Sequence, residues 1–153
     1  MYDGRWDEDR GAHGHGKRTC SDGYILEGRF EGDNLRHGKK STPRGDIFEG
    51  QFDEYESLHA GTITWPDGTV FEGHFVDQYL EGRGKLTEPD GSVYEGEFKH
   101  GELHGQGKHT RADGSFYEGQ WKDGKRHGWG RCVGAVWEGR WEEDTPIKPL
   151  TPE

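Results

Sequence analysis

Aromatic residues and glycines alternate with polar residues in a short pattern that recurs along the chain. The pattern is aromatic-x-Gly-x-aromatic, with leucine in the first place of the second copy, and its copies begin at Tyr2, Leu26, Phe48, Phe71, Tyr94, Tyr117 and Trp137. The central glycines of successive copies are 24, 22, 23, 23, 23 and 20 residues apart. Such a regular period indicates a repeat protein, in which every copy contributes the same supersecondary unit.

Each copy predicts a β-hairpin. Residues at i, i+2 and i+4 of a strand lie on one face, so the two aromatics and the glycine share a face and residues such as Glu95 point to the other. After the second aromatic come a turn glycine, a Gly-x-Gly pair, a basic residue and, in most copies, Asp-Gly. Asp-Gly supplies the positive φ that tight turns between antiparallel strands require. A glycine every few residues excludes helix, because each costs ~1 kcal/mol there relative to alanine.

The copies differ in regularity. Residues 71–131 follow the pattern at almost every position, whereas residues 26–61 depart from it. There, His59-Ala60-Gly61 replaces the first glycine of the Gly-x-Gly pair and Gly45-Asp46 inverts the Asp-Gly.

Stacking of the hairpins predicts an all-β fold, an elongated single-layer antiparallel sheet with about 23 residues per repeat. The aromatics then form two columns that serve as its core, and the glycines between them leave room for neighbouring rings. Two strands per copy at ~4.8 Å give ~10 Å per copy, so Cys20 and Cys132 are too far apart to pair within one chain. The array is predicted over residues 2–142 with its last copy incomplete, and residues 143–153, with three prolines, are predicted to form a tail or linker.

The composition supports a folded repeat rather than a conventional enzyme core. Leu, Ile, Val and Phe make up only about 15% of the chain and the formal charge is −10, values typical of disordered chains. However, 6 Trp, 6 Tyr and 7 Phe at regular spacing indicate order. The few aliphatic residues cannot fill a two-layer core, which argues against an α/β enzyme or a helix bundle.

Several other classes are excluded by charge and hydropathy. No apolar run approaches the ~18 residues of a membrane span, and the acidic N-terminus lacks the apolar region of a signal peptide. A pI near 5.3 argues against nucleic acid as a partner. We therefore expect a cytoplasmic protein, with association with the cytoskeleton or a membrane as open alternatives.

The opening Tyr-Glu-Gly-x-Trp/Phe and the period resemble the MORN repeat (membrane occupation and recognition nexus). The resemblance extends over residues 2–141 and is strongest over residues 71–131. It implies a twisted antiparallel sheet rolled into a shallow groove. It further implies a scaffold, dimerising or targeting module, which in this family stands beside many different partner domains.

The aromatic columns are the main candidate binding site. They predict a groove for a partner helix or peptide, or for a second copy of the chain in a homodimer. The alternative is that the rings are the sheet's own hydrophobic cover, and a terminal strand edge is a second place for self-association. The predicted groove consists of Phe48, Phe52, Phe71, Phe75, Tyr94, Phe98, Tyr117, Trp121, Trp137 and Trp141.

A weaker hypothesis is recognition of phosphoinositides or another anionic membrane surface. It is suggested by the basic residues after the Gly-x-Gly pairs, namely Lys85, Lys108 and Arg131. Each copy also carries a glutamate, so cross-strand Glu–Lys pairs explain the same residues, and the net charge repels anionic lipid.

Metal binding and catalysis have little support in the sequence. One histidine per ~10 Å cannot converge on a zinc ion, so no metal or cofactor is expected. Carboxylates recur in equivalent places, whereas an acid–base pair needs two unlike environments, and no nucleophile elbow or P-loop is present. We expect no enzymatic activity from this segment. The resemblance also implies an alternative, in which this segment is the regulatory or targeting part of a larger enzyme such as a lipid kinase or a lysine methyltransferase.

Overall fold

A computed structural model describes residues 1–7, 11–134 and 137–149, without the side chains of residues 6, 7, 137–139 and 146–149. Within these ranges the regular secondary structure consists of β-strands alone, which confirms the predicted all-β fold of antiparallel hairpins. The chain forms two compact units, Met1–Gln78 and Tyr79–Glu153.

In each unit, consecutive strands pair antiparallel in sequence order. The strands of the first unit are β1 (Tyr2–Asp7), β2 (Gly11–Thr19), β3 (Ile25–Glu31), β4 (Asn34–Ser41), β5 (Ile47–Phe52), β6 (Leu58–Thr64) and β7 (Val70–Val76). The strands of the second are β8 (Tyr79–Thr87), β9 (Val93–Lys99), β10 (Glu102–Thr110), β11 (Phe116–Lys122), β12 (Lys125–Val133), β13 (Trp137–Glu142) and β14 (Thr145–Pro149).

The last strand corrects one expectation. The sequence predicted that the last copy is incomplete and that a proline-rich tail follows it, but β14 pairs with β13, with Thr145 opposite Glu142 and Lys148 opposite Arg140. An edge strand can contain proline, because its outward-facing amide groups make no hydrogen bonds to another strand and the missing N–H of proline costs nothing there.

Two kinds of turn alternate along the chain. Within a copy, both residues of a two-residue turn have positive φ, as in His100 (52°) and Gly101 (83°), which matches the twist of an antiparallel hairpin. Between copies the turn spans four residues, and the amide of Gly91 donates to the carbonyl of Glu88 at 3.0 Å. The carboxylate of Asp90 accepts a further bond from the Ser92 amide at 2.8 Å, which closes this turn from the side.

The aspartates of these turns predict a loss of stability in acid. Hydrogen bonds from Thr69 and Ser92 lower the pKa of Asp67 and Asp90, and bonds from Ser115 lower that of Asp113. A carboxyl group whose pKa is lower in the folded state stabilises the fold above its unfolded pKa, and this contribution is lost as the pH falls through the folded value. We expect the triple variant Asp67→Asn/Asp90→Asn/Asp113→Asn to lose less stability than the natural chain between about pH 5 and about pH 2.

Thermal unfolding followed by circular dichroism across this range checks the acid prediction. Glu118→Gln, a change on an exposed strand residue, is the control. If the melting temperatures of the triple variant and the natural chain fell equally with pH, the prediction would be contradicted.

Glycines occupy the same register position on successive strands and form a row across each unit. In the first unit the row is Gly4, Gly16, Gly28, Gly38, Gly50, Gly61 and Gly73. In the second it is Gly84, Gly96, Gly107, Gly119, Gly130 and Gly139. A Cβ atom at Gly107 would lie 2.9 Å from Leu103 and 3.1 Å from Trp121, so this glycine leaves space for core side chains. At Gly28 and Gly50 a Cβ atom would instead overlap the backbone of the neighbouring strand, so these glycines allow the two strands to approach closely.

The Gly-x-Gly pair combines two separate roles. The second glycine belongs to the row, whereas the first has positive φ, as in Gly105 (94°), and lies in a bulge. The irregular copies lack one bulge residue: the row glycine is four positions after Leu103 but three after Leu35 and Leu58. This difference explains why His59, which lacks a positive φ, can take the place of the first glycine in this region.

Candidate functional site

Most of the predicted groove residues form the core of the sheet. Seven of them are only 4–8% exposed, namely Phe48, Phe52, Phe75, Phe98, Tyr117, Trp121 and Trp141. Phe71 and Tyr94 are half-buried, and the Trp137 side chain lies outside the described residues. For the seven buried rings, the arrangement matches the alternative in which they cover their own sheet, and any contact with a partner must use less buried neighbours.

A cleft of about 820 Å³ lies on this aromatic side of the second unit. Its wall contains a chain of rings in edge-to-face contact, with centroid distances of 6.2 Å for Tyr94–Trp121, 5.2 Å for Tyr117–Trp121 and 5.3 Å for Tyr117–Trp141. Such contacts contribute ~0.5–1.5 kcal/mol each beyond the area they bury. The cleft therefore has a wall that is held in place by its own packing.

Hydrogen bonds hold two of these rings. Trp121 Nε1 donates to the Gly107 carbonyl at 3.0 Å, and the Tyr117 hydroxyl donates to the Gln120 carbonyl at 3.0 Å. Burial raises the pKa of Tyr117 to about 12, so this phenol remains a neutral donor at physiological pH. Both polar groups are engaged within the sheet and serve the wall rather than a ligand.

Arg126 places a charge where other copies have an apolar core residue. It pairs with Trp121 in the register in which Leu103 pairs with Phe98. Its guanidinium lies 4.0 Å from the Trp141 ring centroid, and its Nε is 3.1 Å from a carboxylate oxygen of Asp144. Sequence reasoning missed this residue because it considered only the basic residues after Gly-x-Gly, although alignment of the leucine positions would have revealed it.

Tyr94 and His109 form a stacked pair at the edge of the cleft. Their ring centroids are 4.0 Å apart and their planes differ by 8°. Burial, followed by the nearby Arg111 charge, lowers the pKa of His109 below its usual 6.5, so the imidazole is neutral at pH 7. A second depression of about 480 Å³ shares Tyr94, His109, Arg111 and Asp113 with the cleft and adds Glu88 and Asp90.

The residues predicted to bind lipid lie in a ladder of alternating charge. Lys85 and Lys108 both pair with Glu95, and Glu118 pairs with both Lys108 and Arg131. These partners lie directly opposite each other on neighbouring strands, where unlike charges attract. Each cation faces at least one carboxylate, an arrangement that favours cross-strand pairing over a cationic surface.

A charged cluster in the first unit joins the first copy to the two irregular copies that follow it. The Arg18 guanidinium is 2.7 Å from the Glu56 carboxylate, which also accepts a bond from the Leu35 amide at 2.9 Å. Lys40 donates to the Glu56 carbonyl at 3.1 Å. Because Glu56 is in the left-handed region at φ 60°, these bonds hold a turn that lacks glycine. The cluster is explained by this structural role.

Residues 1–7, 11–134 and 137–149 contain no group of three or more His, Cys, Asp or Glu side chains that could hold a metal ion. They also contain no helix long and apolar enough to cross a membrane. Cys20 and Cys132 are both free thiols.

Comparison with known proteins gives one result. A family model described as MORN repeat matches residues 2–23, 60–70, 71–93, 94–116 and 117–139. The unmatched stretch 24–59 contains the copy that begins at Leu26 and most of the next. No curated protein matches the chain at a significant level.

Proposed function

Because the chain belongs to the MORN repeat family, whose repeats are generally protein or membrane interaction modules, we propose that it is a non-catalytic module that binds a protein partner. The partner docks in the cleft of the second unit, and the rigid sheet holds it at a fixed place. In this role the chain is a scaffold or a targeting segment rather than an enzyme.

The observation that supports this proposal is the combination of a fixed wall with accessible side chains. Trp121 and Trp141 are buried behind the cleft, whereas Tyr94 and His109 are half-buried and Arg111 is exposed at its edge. A cleft of about 820 Å³ is within the usual range for binding pockets and accommodates a few side chains of a peptide. Aromatic rings and arginine are also the residues that contribute most at protein interfaces.

A non-catalytic role agrees with the surroundings of the carboxylates. Asp90 and Asp113 occupy equivalent turns and make equivalent bonds to Ser92 and Ser115. Acid–base catalysis requires two groups whose surroundings move their pKa values apart, whereas both of these aspartates have a lowered pKa.

Membrane recognition is the alternative function, and the charge ladder argues against it. A cation that faces a carboxylate contributes little to attraction by anionic lipid, because the two charges offset each other at short distance. Arg131, for example, lies between Glu118 and Glu138 in the register of the strands.

Peptide phage display on the immobilised chain tests the proposed function. We expect selected peptides to lose binding at least ~tenfold to Val133→Trp, because Val133 lines the cleft, is 39% exposed and can accept a larger side chain that blocks it. The matched control is Glu118→Trp, a similar enlargement at an exposed position on a neighbouring strand. Failure to select any peptide with this dependence on Val133 would overturn the proposal.

A further inference from the structure

We propose that the cleft of the second unit binds a basic segment of its protein partner. A Lys or Arg side chain of that segment contacts the stacked Tyr94 and His109 rings beside the carboxylates of Glu88, Asp90 and Asp113. This inference rests on the proposed function and specifies the chemistry of the partner.

The first argument is the position of the stacked rings. Tyr94 and His109 border both the cleft of about 820 Å³ and the adjoining depression of about 480 Å³, so a chain that crosses from one to the other meets them. Both side chains are half-buried, with their planes nearly parallel at 8°. The π-face of an aromatic ring attracts cations, more strongly where water is partly excluded.

The second argument is the balance of charge around the two depressions. Four carboxylates and two guanidiniums line them. Arg126 and Asp144 form an ion pair with each other at 3.1 Å, which leaves Glu88, Asp90 and Asp113 against Arg111. The neutral state of His109 adds no positive charge, and the lowered pKa values of Asp90 and Asp113 keep both ionised at pH 7.

The third argument is that the same unit already contains the proposed type of contact. The Arg126 guanidinium lies on the Trp141 ring at 4.0 Å with Asp144 as its anionic partner, and Lys108 Nζ lies 4.1 Å from the Phe116 ring centroid. Cation–π contacts between side chains of the described residues therefore already occur in this unit. At Tyr94 the ring and the carboxylates are both present, and the partner supplies the cation.

Charge complementarity also distinguishes between partners. An acidic segment would bring its carboxylates toward three others, and like charges that meet at an interface are costly. The net charge of −10 acts in the same direction over longer distances, because it attracts cationic partners and repels anionic ones.

Three synthetic dodecapeptides test the inference by fluorescence anisotropy. They are fluorescein-labelled (Lys-Leu-Ser)₄, (Glu-Leu-Ser)₄ and (Ser-Leu-Ser)₄, which share their apolar residues and differ in charge. We expect the lysine peptide to bind at least ~tenfold more tightly than the other two, and its affinity to fall as salt is added.

Two variants locate the binding site, and they are expected to change the affinity for the lysine peptide in opposite directions. Glu88→Gln should weaken the lysine peptide by about two- to fivefold, whereas Arg111→Gln should strengthen it by a similar factor, since it removes a repelling charge. Misfolding of a variant would weaken binding, so it cannot explain the gain of affinity that is expected for Arg111→Gln. The matched control is Glu95→Gln, an exposed carboxylate on the outer face of β9, which should change the affinity by less than ~1.5-fold.

Two results would overturn the inference and leave the proposed function standing. One is equal binding of the three peptides that Val133→Trp still blocks. The other is a set of display-selected peptides that depend on Val133 but are not enriched in Lys or Arg. Equal weakening of the lysine peptide by Glu88→Gln and Glu95→Gln would also overturn the inference, because it indicates diffuse attraction to the whole sheet. Absence of any peptide that depends on Val133 would instead remove the proposed function itself.

Discussion

Trp121→Ala should lower the free energy of unfolding by about 3–5 kcal/mol, the usual cost of removing a large aromatic side chain from a core. Trp121 is 6% exposed, makes edge-to-face contacts with Tyr94 and Tyr117, and donates its indole hydrogen bond to Gly107. Removal of the ring leaves a cavity and an unpaired carbonyl in a sheet that has little other apolar volume. Urea denaturation followed by far-ultraviolet circular dichroism measures the change.

Trp129 provides the control for this prediction in the same unit. It is 49% exposed on β12, and Trp129→Ala should change the free energy of unfolding by no more than about 0.5 kcal/mol. Equal costs for the two tryptophans would contradict the assignment of the aromatic columns as core. A small cost for Trp121 alone would show that the wall of the cleft can collapse into the space.

Gly130→Ala should lower the free energy of unfolding by about 2–3 kcal/mol through overpacking. Gly130 lacks the positive φ of many other glycines in this chain, so backbone strain does not contribute. A Cβ atom there would instead overlap the ring of Tyr117, which lies across the glycine row. The comparison is Gly114→Ala, where no atom lies within 4 Å but φ is 90°, so its cost comes from the backbone alone.

A double-mutant cycle separates the two mechanisms. In a Tyr117→Ala background the cost of Gly130→Ala should nearly disappear, because the ring that it would overlap is gone. The cost of Gly114→Ala should be unchanged in that background. If Gly130→Ala remained equally costly without the Tyr117 ring, the requirement for glycine at this position would need an explanation other than space for that side chain.

The repeat pattern predicted the fold, because hairpin periodicity is a local property. Aromatics two positions either side of a glycine defined the buried face, and Asp-Gly defined the turns between copies. The bulge was not predicted, because the sequence of a Gly-x-Gly pair does not indicate which of its two glycines has a positive φ. The strand Thr145–Pro149 was missed because proline normally opposes strands, and only the freedom of an outer edge permits it.

The candidate site depended on information that no single copy contains. The cleft is formed by residues of several copies, and its charges come from adjoining turns, such as Asp90 and Asp113. Whether the rings of an aromatic column are buried against each other or accessible to a partner depends on the angles between neighbouring rings, and the repeat period does not specify these angles. The sequence therefore placed its candidates on the face that bears the cleft but selected its buried rings, while Arg126, His109 and Glu88 were not among its candidates.

The bulge beside the glycine row determines how this gene can change in length. Copies with two or three residues between the core leucine and the row glycine keep the same register, because the extra residue is accommodated outside the row, as after Leu35 and Leu103. A codon lost at the bulge leaves every downstream side chain on its own face. The same loss inside a strand would exchange the two faces. Single-residue insertions and deletions are thus tolerated at one place in each copy, and natural length variation should collect there.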